Sequence, residues 1–134
     1  TTNALIATYP DGLDVEVMTS ETLAKTWTEA SLPSEKEHVT LYINQHPQDF
    51  LIGSCTYYQN ISHLRWTVDE PEDLIFVEAV YRKLYFQNQP FLMEDVLLLL
   101  QENPNLEKIN CQFFRNEGLK KSLMKDQEFF ENEV

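Results

Sequence analysis

Short apolar segments of strand character alternate along this chain with segments of helical period, and this alternation constrains the possible fold most strongly. In residues 13–18, Leu13, Val15 and Val17 alternate with acidic residues, which is typical of a half-buried strand. Strands that alternate with helices predict an α/β architecture. The predicted strands cover residues 3–8, 13–18, 50–58 and 64–68.

Helix signals occupy the intervals between the predicted strands. Ser20 and Ser34 are positioned to cap the N-termini of two helices, and Pro71 suits the first position of a third. Two more apolar periodic segments follow, so the C-terminal region is expected to be helical. The predicted helices cover residues 20–30, 34–46, 71–86, 93–102 and 116–130.

The length of 134 residues is appropriate for one domain, and we expect residues 1–134 to form a single one. The formal net charge is -12, from 22 acidic and 10 basic residues. Such a surface repels DNA, RNA and anionic membranes, which bind proteins through lysine and arginine. Nucleic-acid and membrane partners are therefore not expected.

The two cysteines, Cys55 and Cys111, stand far apart, without the spacing of a zinc site or a disulfide framework. Isolated cysteines of this kind are typical of reduced, cytoplasmic proteins. Uninterrupted apolar runs, such as residues 96–100, are too short to span a bilayer. A cytoplasmic location is therefore expected.

Only three glycines occur, Gly12, Gly53 and Gly118, and they are widely separated. A loop that wraps phosphates needs close backbone approach and unusual backbone angles, which clustered glycines supply. We therefore do not expect this chain to form a triphosphate-binding loop from its own residues.

Four stretches of the chain, taken in order, are more specific than any one of them alone. They are YPDGLDVEV at 9–17, EHVTLYI at 37–43, SHLRWTVDEPEDL at 62–74 and FLMEDV at 91–96. Their order and spacing resemble the C-terminal half of the spore-coat polysaccharide cytidylyltransferases, which are relatives of the CMP-sugar synthetases. The resemblance extends over about residues 3–123.

The resemblance implies a reaction in which an oxygen of a sugar or sugar acid attacks the α-phosphorus of CTP and yields a CMP-sugar and pyrophosphate. It also implies part of a Rossmann-like nucleotide-diphospho-sugar transferase fold, dependence on Mg²⁺ and a role in surface polysaccharide synthesis. CTP and a sugar or sugar acid are therefore the expected partners of the complete enzyme.

Two departures from the family pattern limit what the isolated chain is expected to do. The family's glycine- and arginine-rich loop and its first metal-binding aspartate motif do not occur in the sequence, so the isolated chain is expected to be inactive. Lys36 and Leu41 stand where the family usually has arginine and proline. Lysine lacks the bidentate fork of arginine, which weakens a phosphate or carboxylate contact from this segment.

Asp69 is the first candidate for a catalytic residue. It follows the predicted strand 64–68 and precedes the helix that starts at Pro71. Ligands of open α/β sheets bind beyond the carboxyl ends of strands, and Mg²⁺ takes one or two carboxylates together with substrate phosphates. By resemblance, Asp69 matches the family's second metal-binding aspartate and is the expected Mg²⁺ ligand. The alternative is that it only favours the helix N-terminus electrostatically.

Arg65 is the second candidate for a catalytic residue. A guanidinium can pair with a substrate phosphate or carboxylate, and Arg65 lies in the same stretch as Asp69. An internal salt bridge is an equally open interpretation in so acidic a chain.

Five further residues are candidates for substrate binding. Asp14 and Glu16 share one face of a predicted strand, where carboxylates can bind sugar hydroxyls, assist the metal or simply face solvent. Asp11 belongs to the same acidic group, and the alternative is that it stabilises the turn 9–12 in which it lies. His38 and Lys36 lie in a segment that approaches the substrate in the family, and a structural role is the alternative for the histidine.

Association with another chain is also expected. Half of a doubly wound sheet would leave an unpaired strand edge and exposed apolar surface, both of which promote association. We therefore expect a homodimer, or a complex with the half that the family has and this chain lacks. The alternative function is a non-catalytic binding or assembly module that retains the second half of the fold.

Overall fold

A computed structural model describes residues 1–86 and 89–132, and it describes only the backbone of residues 117, 121 and 128–132. Within these residues the chain forms seven α-helices, none of which is long and apolar enough to cross a membrane. They are α1 (Ser20–Glu29), α2 (Pro33–Glu37), α3 (Leu41–Gln45), α4 (Pro71–Leu84), α5 (Met93–Glu102), α6 (Pro104–Glu107) and α7 (Glu117–Asn132).

The chain is organised into two compact units, each built from separated stretches. The first unit combines Thr1–Ile6 and Val15–Thr56 with the chain from Asn116 onward, and it contains α1, α2, α3 and α7. The second unit combines Ala7–Asp14 with Tyr57–Arg115 and contains α4, α5 and α6. The units are not successive segments, and the expected single domain stays a prediction.

Two helices of the second unit, α4 and α5, start where the sequence predicts, whereas α6 was not predicted. α4 begins at Pro71, and α5 covers the predicted residues. The third residue of each helix, Asp73 in α4 and Asp95 in α5, accepts a hydrogen bond from the amide of the N-cap residue, at 3.1 and 2.8 Å. Each carboxylate therefore satisfies an amide that would otherwise have no partner at the helix N-terminus.

Two predictions for helices of the first unit are wrong in detail. Thr19 caps α1 in place of Ser20, and its hydroxyl oxygen accepts a hydrogen bond from the amide of Thr22 at 3.2 Å. The single helix predicted over residues 34–46 is divided into α2 and α3, because the backbone of His38 is extended and ends α2.

The four predicted strands are wrong as continuous strands, since the extended segments of the described chain pair only at single positions. Residues 4–7 form a turn in place of most of the first predicted strand. A sheet needs a ladder of hydrogen bonds that continues along a neighbouring strand, and isolated pairs do not supply it. The α/β prediction is therefore supported only in part. The isolated pairs are Thr2 with Glu16, Thr2 with Ser54, and Asp11 with Arg65.

The core of the second unit joins α4 and α5 to the segment 61–66. On α4, Phe76 and Val80 are buried, whereas Leu74 and Tyr81 are about half exposed. Burial of each large apolar side chain contributes roughly 1.5–3 kcal/mol. This core fixes the segment that carries the candidate catalytic residues. Its buried members are Ile61, Leu64, Phe76, Val80, Val96, Leu99 and Leu100.

In the first unit, buried polar groups attach α7 to α2. Asp126 accepts hydrogen bonds from the amide of Ser34 at 3.0 Å and from its hydroxyl at 2.5 Å, so Ser34 is not the helix cap that the sequence predicts. The hydroxyl of Ser122 lies 2.9 Å from Glu37 Oε2 and 3.0 Å from His38 Nε2. Buried polar side chains therefore contribute to how these two helices meet.

Candidate functional site

Arg65 is the centre of a charged cluster in the second unit. Its side chain is only 9% exposed, and it donates two parallel hydrogen bonds to Asp73, from Nε to Oδ1 at 2.9 Å and from Nη2 to Oδ2 at 2.8 Å. The guanidinium also lies 5.6 Å from the ring centre of Phe113. Paired guanidinium–carboxylate bonds of this kind fix both position and orientation. The hydrogen bonds to Asp73 raise the pKa of Arg65 above its ordinary value, against the opposing effect of burial.

Asp73 is fully buried, and four groups donate to its carboxylate. Besides Arg65, they are Asn110 Nδ2 at 2.8 Å and the amides of Asp69 and Glu70, both at 3.1 Å. Burial disfavours the ionised form, but the hydrogen bonds from Arg65 and Asn110 and from the two amides outweigh it and lower the pKa of Asp73. A buried ion pair is tolerated when its remaining hydrogen-bonding capacity is satisfied in this way.

Asp69 occupies the exposed side of the cluster, and its side chain is 67% exposed. Its Oδ2 accepts hydrogen bonds from Arg65 Nη2 and from Thr67 Oγ1, each at 3.2 Å. Its amide is held by Asp73 immediately before α4 begins. Backbone and side chain are therefore both restrained, while the carboxylate remains accessible.

Asp11 reaches the same guanidinium from another part of the chain. The backbone pairs with the segment 64–66, since the Asp11 amide donates to the Leu64 carbonyl at 2.8 Å and the Trp66 amide donates to the Asp11 carbonyl at 2.7 Å. Arg65 Nη1 lies 3.4 Å from the Asp11 carboxylate. Burial raises the pKa of Asp11, and the positive charge of Arg115 partly offsets this effect.

Gly12 permits this close pairing. Its φ is +98°, and a Cβ there would lie 2.6 Å from the Thr67 amide nitrogen and 2.7 Å from the Trp66 carbonyl carbon. An L-residue with a side chain is strained at that φ and would also collide with the neighbouring backbone. The turn 9–12 can therefore reach the 64–67 segment only with glycine at this position.

Asp14 is paired with Arg115, which also approaches Asp11. Arg115 Nη2 donates to Asp14 Oδ1, Arg115 Nε lies 3.9 Å from Asp11 Oδ1, and Arg115 Nη1 donates to the Tyr9 carbonyl at 3.4 Å. The cluster therefore contains two arginines and four aspartates, Asp11, Asp14, Asp69 and Asp73.

The structure brings four of the predicted site residues together, namely Asp11, Asp14, Arg65 and Asp69. The other three belong to the first unit. There, Glu16 lines a cavity of about 370 Å³, His38 hydrogen-bonds to Ser122, and Lys36 is exposed on α2.

Sequence reasoning missed Asp73, Asn110 and Arg115. Asp73 stands at the third position of α4, where the sequence pattern predicts a carboxylate that caps the helix. The same pattern does not predict that this carboxylate binds a buried arginine. Asn110 and Arg115 give no local signal, because they lie 37 and 101 residues from their partners Asp73 and Asp14.

The fit of a metal ion to this cluster is limited. Among the described residues, no group of three or more His, Cys, Asp and Glu side chains is arranged to hold a metal. Mg²⁺ in phosphate-transferring sites takes one or two carboxylates and completes its shell with substrate phosphates and water. Asp69, accessible and restrained, fits the contribution of one carboxylate to such a site.

Comparisons with known proteins add to this geometry. No family model matches the chain. The chain is 29% identical to the uncharacterized protein MJ1063 of Methanocaldococcus jannaschii, over 74% of this chain and 41% of that protein. It is also similar to the structure of a cytidylyltransferase from Leptospira borgpetersenii, with a TM-score of 0.72 and 27% identity, over 43% of that enzyme. The chain therefore spans less than half the length of either protein. Over 78% of its own length, it is similar in structure to a cytidylyltransferase.

Proposed function

We propose that this chain is part of a CTP-dependent cytidylyltransferase and contributes Asp69 to the reaction site. The observation that carries the proposal is the accessible Asp69 carboxylate, held by Arg65 and Thr67 at the start of α4. This arrangement occurs in a chain similar in structure to a cytidylyltransferase and in the stretch that most resembles the family. The finer assignment, to activation of a sugar or sugar acid for surface polysaccharide synthesis, rests on the resemblance.

The proposed reaction is transfer of a cytidylyl group. An oxygen of the sugar or sugar acid forms a new bond to the α-phosphorus of CTP, and the bond to the bridging oxygen breaks. Pyrophosphate leaves with the bonding electron pair, and the proton of the attacking hydroxyl is released. The product is a CMP-sugar.

Within that reaction, Asp69 is the residue that would help to hold Mg²⁺. The ion, when bound, neutralises charge that develops on the phosphate oxygens. Arg65 is proposed as a positioning residue, because Asp73, Asp11 and Asp69 already surround its guanidinium. A substrate phosphate would have to displace one of these carboxylates to reach it.

Asp14 and Asp11 are proposed to face the sugar. Their carboxylates accept hydrogen bonds, as sugar hydroxyls require, and Arg115 limits the negative charge that they present. Roles for Glu16, Lys36 and His38 in substrate binding stay predictions.

The test is product formation by the full-length protein that contains this chain. With CTP, Mg²⁺ and a panel of sugar acids and sugar phosphates, we expect one CMP-sugar and an equal amount of pyrophosphate, measured by ion-exchange chromatography. Absence of product with every sugar tested would contradict the proposal. A full-length protein that is inactive but still assembles through this chain would favour the binding-module alternative.

A further inference from the structure

The proposed transfer releases the proton of the attacking sugar hydroxyl, and a base must receive it. A hydroxyl is a weak nucleophile until its proton is taken, and a positioned carboxylate can take it during the attack. Three carboxylates of the charged cluster are partly exposed, since the side chains of Asp11, Asp14 and Asp69 are 15%, 36% and 67% exposed. The fourth, Asp73, is fully buried and cannot meet a substrate.

The contacts of the three exposed carboxylates distinguish them. Asp69 is assigned to the metal ion in the proposed function, and Asp14 is engaged by Arg115 in a close charge-assisted hydrogen bond. Asp11 lies 3.4 Å from Arg65 Nη1 and 3.9 Å from Arg115 Nε. Both distances exceed the range of about 2.7–3.2 Å that is typical of such hydrogen bonds, so lone pairs of Asp11 are available to a substrate hydroxyl.

The guanidinium of Arg65 places Asp11 beside Asp69. Its Nη1 faces the Asp11 carboxylate at 3.4 Å, and its Nη2 faces Asp69 Oδ2 at 3.2 Å. Both nitrogens belong to one rigid planar group, so the two carboxylates are neighbours. The backbone of Asp11 is also fixed, by its hydrogen bonds with Leu64 and Trp66. A hydroxyl that binds Asp11 would therefore lie close to the phosphate end of the proposed site.

The protonation of Asp11 is consistent with a role as a base. Burial raises the pKa of its carboxyl above the ordinary value, the positive charge of Arg115 lowers this pKa, and the negative charge of Asp14 raises it. An ionised carboxylate with a raised pKa is a stronger base than an ordinary one.

We propose that Asp11 is the general base of the transfer and accepts the proton of the attacking sugar hydroxyl. The hydroxyl oxygen forms its bond to the α-phosphorus with a lone pair, and the electron pair of the O–H bond stays on that oxygen. The bond to the bridging oxygen breaks, pyrophosphate leaves with the bonding pair, and Asp11 then gives the proton to water. This assignment rests on the cytidylyl transfer of the proposed function and adds a catalytic residue to it.

The test compares full-length wild type with Asp11→Asn, using CTP, Mg²⁺ and the sugar that gives product with wild type. Asparagine keeps the size of the side chain and removes the base. We expect kcat to fall by about 100-fold or more, and KM for the sugar to change by no more than about threefold. Unfolding midpoints of both proteins separate loss of the base from loss of the fold.

The dependence of the rate on pH distinguishes a base from a structural residue. In wild type, kcat/KM should rise with pH as Asp11 ionises, and this acid limb should be absent in Asp11→Asn. Asp14→Asn is the matched variant, because the negative charge of Asp14 raises the pKa of Asp11. Its acid limb should therefore move to lower pH, which a purely structural role of Asp11 would not produce.

A further readout does not depend on turnover. In metal-free full-length protein labelled with carbon-13 at aspartate, the sugar alone should shift the carboxyl resonance of Asp11, assigned through its own backbone. This measurement and the Asp14→Asn profile decide the question even where Asp11→Asn does not fold.

The contrary outcomes separate the two proposals. An Asp11→Asn enzyme that forms product as fast as an active wild type would overturn the role of Asp11 and leave the transfer standing. So would an acid limb that stays in place in Asp14→Asn, or an Asp11 resonance that does not respond to the sugar. Absence of product from wild type with every sugar would overturn the transfer itself, and the role of Asp11 with it.

Discussion

Asp73 is the single residue on which most of the cluster depends. It accepts hydrogen bonds from the amides of Asp69 and Glu70 immediately before α4, binds the Arg65 guanidinium through both oxygens and accepts from Asn110. One buried carboxylate therefore connects a helix cap, an arginine and the backbone of Asp69. Loss of this carboxylate removes several restraints on Asp69 at once, without any change to Asp69 itself.

We predict that Asp73→Asn destabilises the protein by about 3 kcal/mol, because removal of one partner from a buried ion pair leaves the other uncompensated. The measurement is chemical unfolding at neutral pH. Asp95→Asn is the matched control, since Asp95 has the same position in α5 and no arginine partner among the residues that the structure describes. It is expected to cost about 1 kcal/mol, the usual value of a helix cap.

The difference in unfolding free energy between wild type and Asp73→Asn should change with pH in one definite direction. The pKa of Asp73 is lowered in the folded state below its ordinary value of 3.8, so its stabilisation is complete well above pH 3.8 and is lost as the pH falls below that value. The stability gap between wild type and Asp73→Asn should therefore narrow in acid. Asp11, whose pKa is raised, acts in the opposite direction, so the test is the narrowing of the gap between the two proteins and not the pH dependence of either alone. A gap that stays constant from pH 7 to pH 2 would contradict the ionised pair.

At residue scale, sequence reasoning identified Asp11, Asp14, Arg65 and Asp69 and missed the residues that hold them in place, Asp73, Asn110 and Arg115. The position of Asp69 before Pro71 followed from local signals, and so did the turn at Asp11. For Arg65, the sequence leaves two interpretations open, a contact with substrate or an internal salt bridge. The choice depends on Asp73 and Asn110, whose contacts come from tertiary packing. A helical or strand period carries no information about such pairs.

At the scale of elements, helices were easier to predict than strands for a physical reason. α4 and α5 carry their own start signals, and an apolar face with helical spacing is a local property. A strand exists only if a neighbour pairs with it over several residues, and the predicted partners meet at single positions. The packing of α7 on α2 could not be predicted from local sequence patterns either, because Ser34 and Asp126 are 92 residues apart.

Ser34→Ala tests how α7 is held. Loss of the hydroxyl removes one of the two hydrogen bonds that Ser34 donates to the buried Asp126 carboxylate, and a hydrogen bond to a charged group contributes about 1.5–3 kcal/mol. We predict faster amide hydrogen exchange in α7 and unchanged exchange in α5, measured by mass spectrometry. Ser31→Ala, at an exposed neighbouring serine, is the control and should leave α7 unchanged. Equal exchange of α7 in the two variants would show that the Ser34–Asp126 pair does not hold the helix.

At the scale of the whole molecule, both units expose large apolar side chains. Trp27 and Leu51 in the first unit are 73% and 104% exposed, and Tyr58 and Phe114 in the second are 86% and 70% exposed. Such side chains are consistent with the expected association with a second copy or with another half, which stays a prediction. The chain also spans less than half of the two proteins that it matches. Catalysis is therefore proposed for the longer protein.

The central claim is that Asp69 serves the transfer of a cytidylyl group, and the rate of CMP-sugar formation by full-length Asp69→Asn tests it most directly. Loss of a carboxylate that holds a catalytic metal costs several kcal/mol of transition-state stabilisation, so the rate should fall by about 100-fold or more. The unfolding midpoint should stay near that of the wild type, because the side chain is 67% exposed. Glu78→Gln, at an exposed carboxylate of the helix α4 that follows Asp69, should retain the full rate. An Asp69→Asn enzyme that forms product as fast as Glu78→Gln would contradict the account.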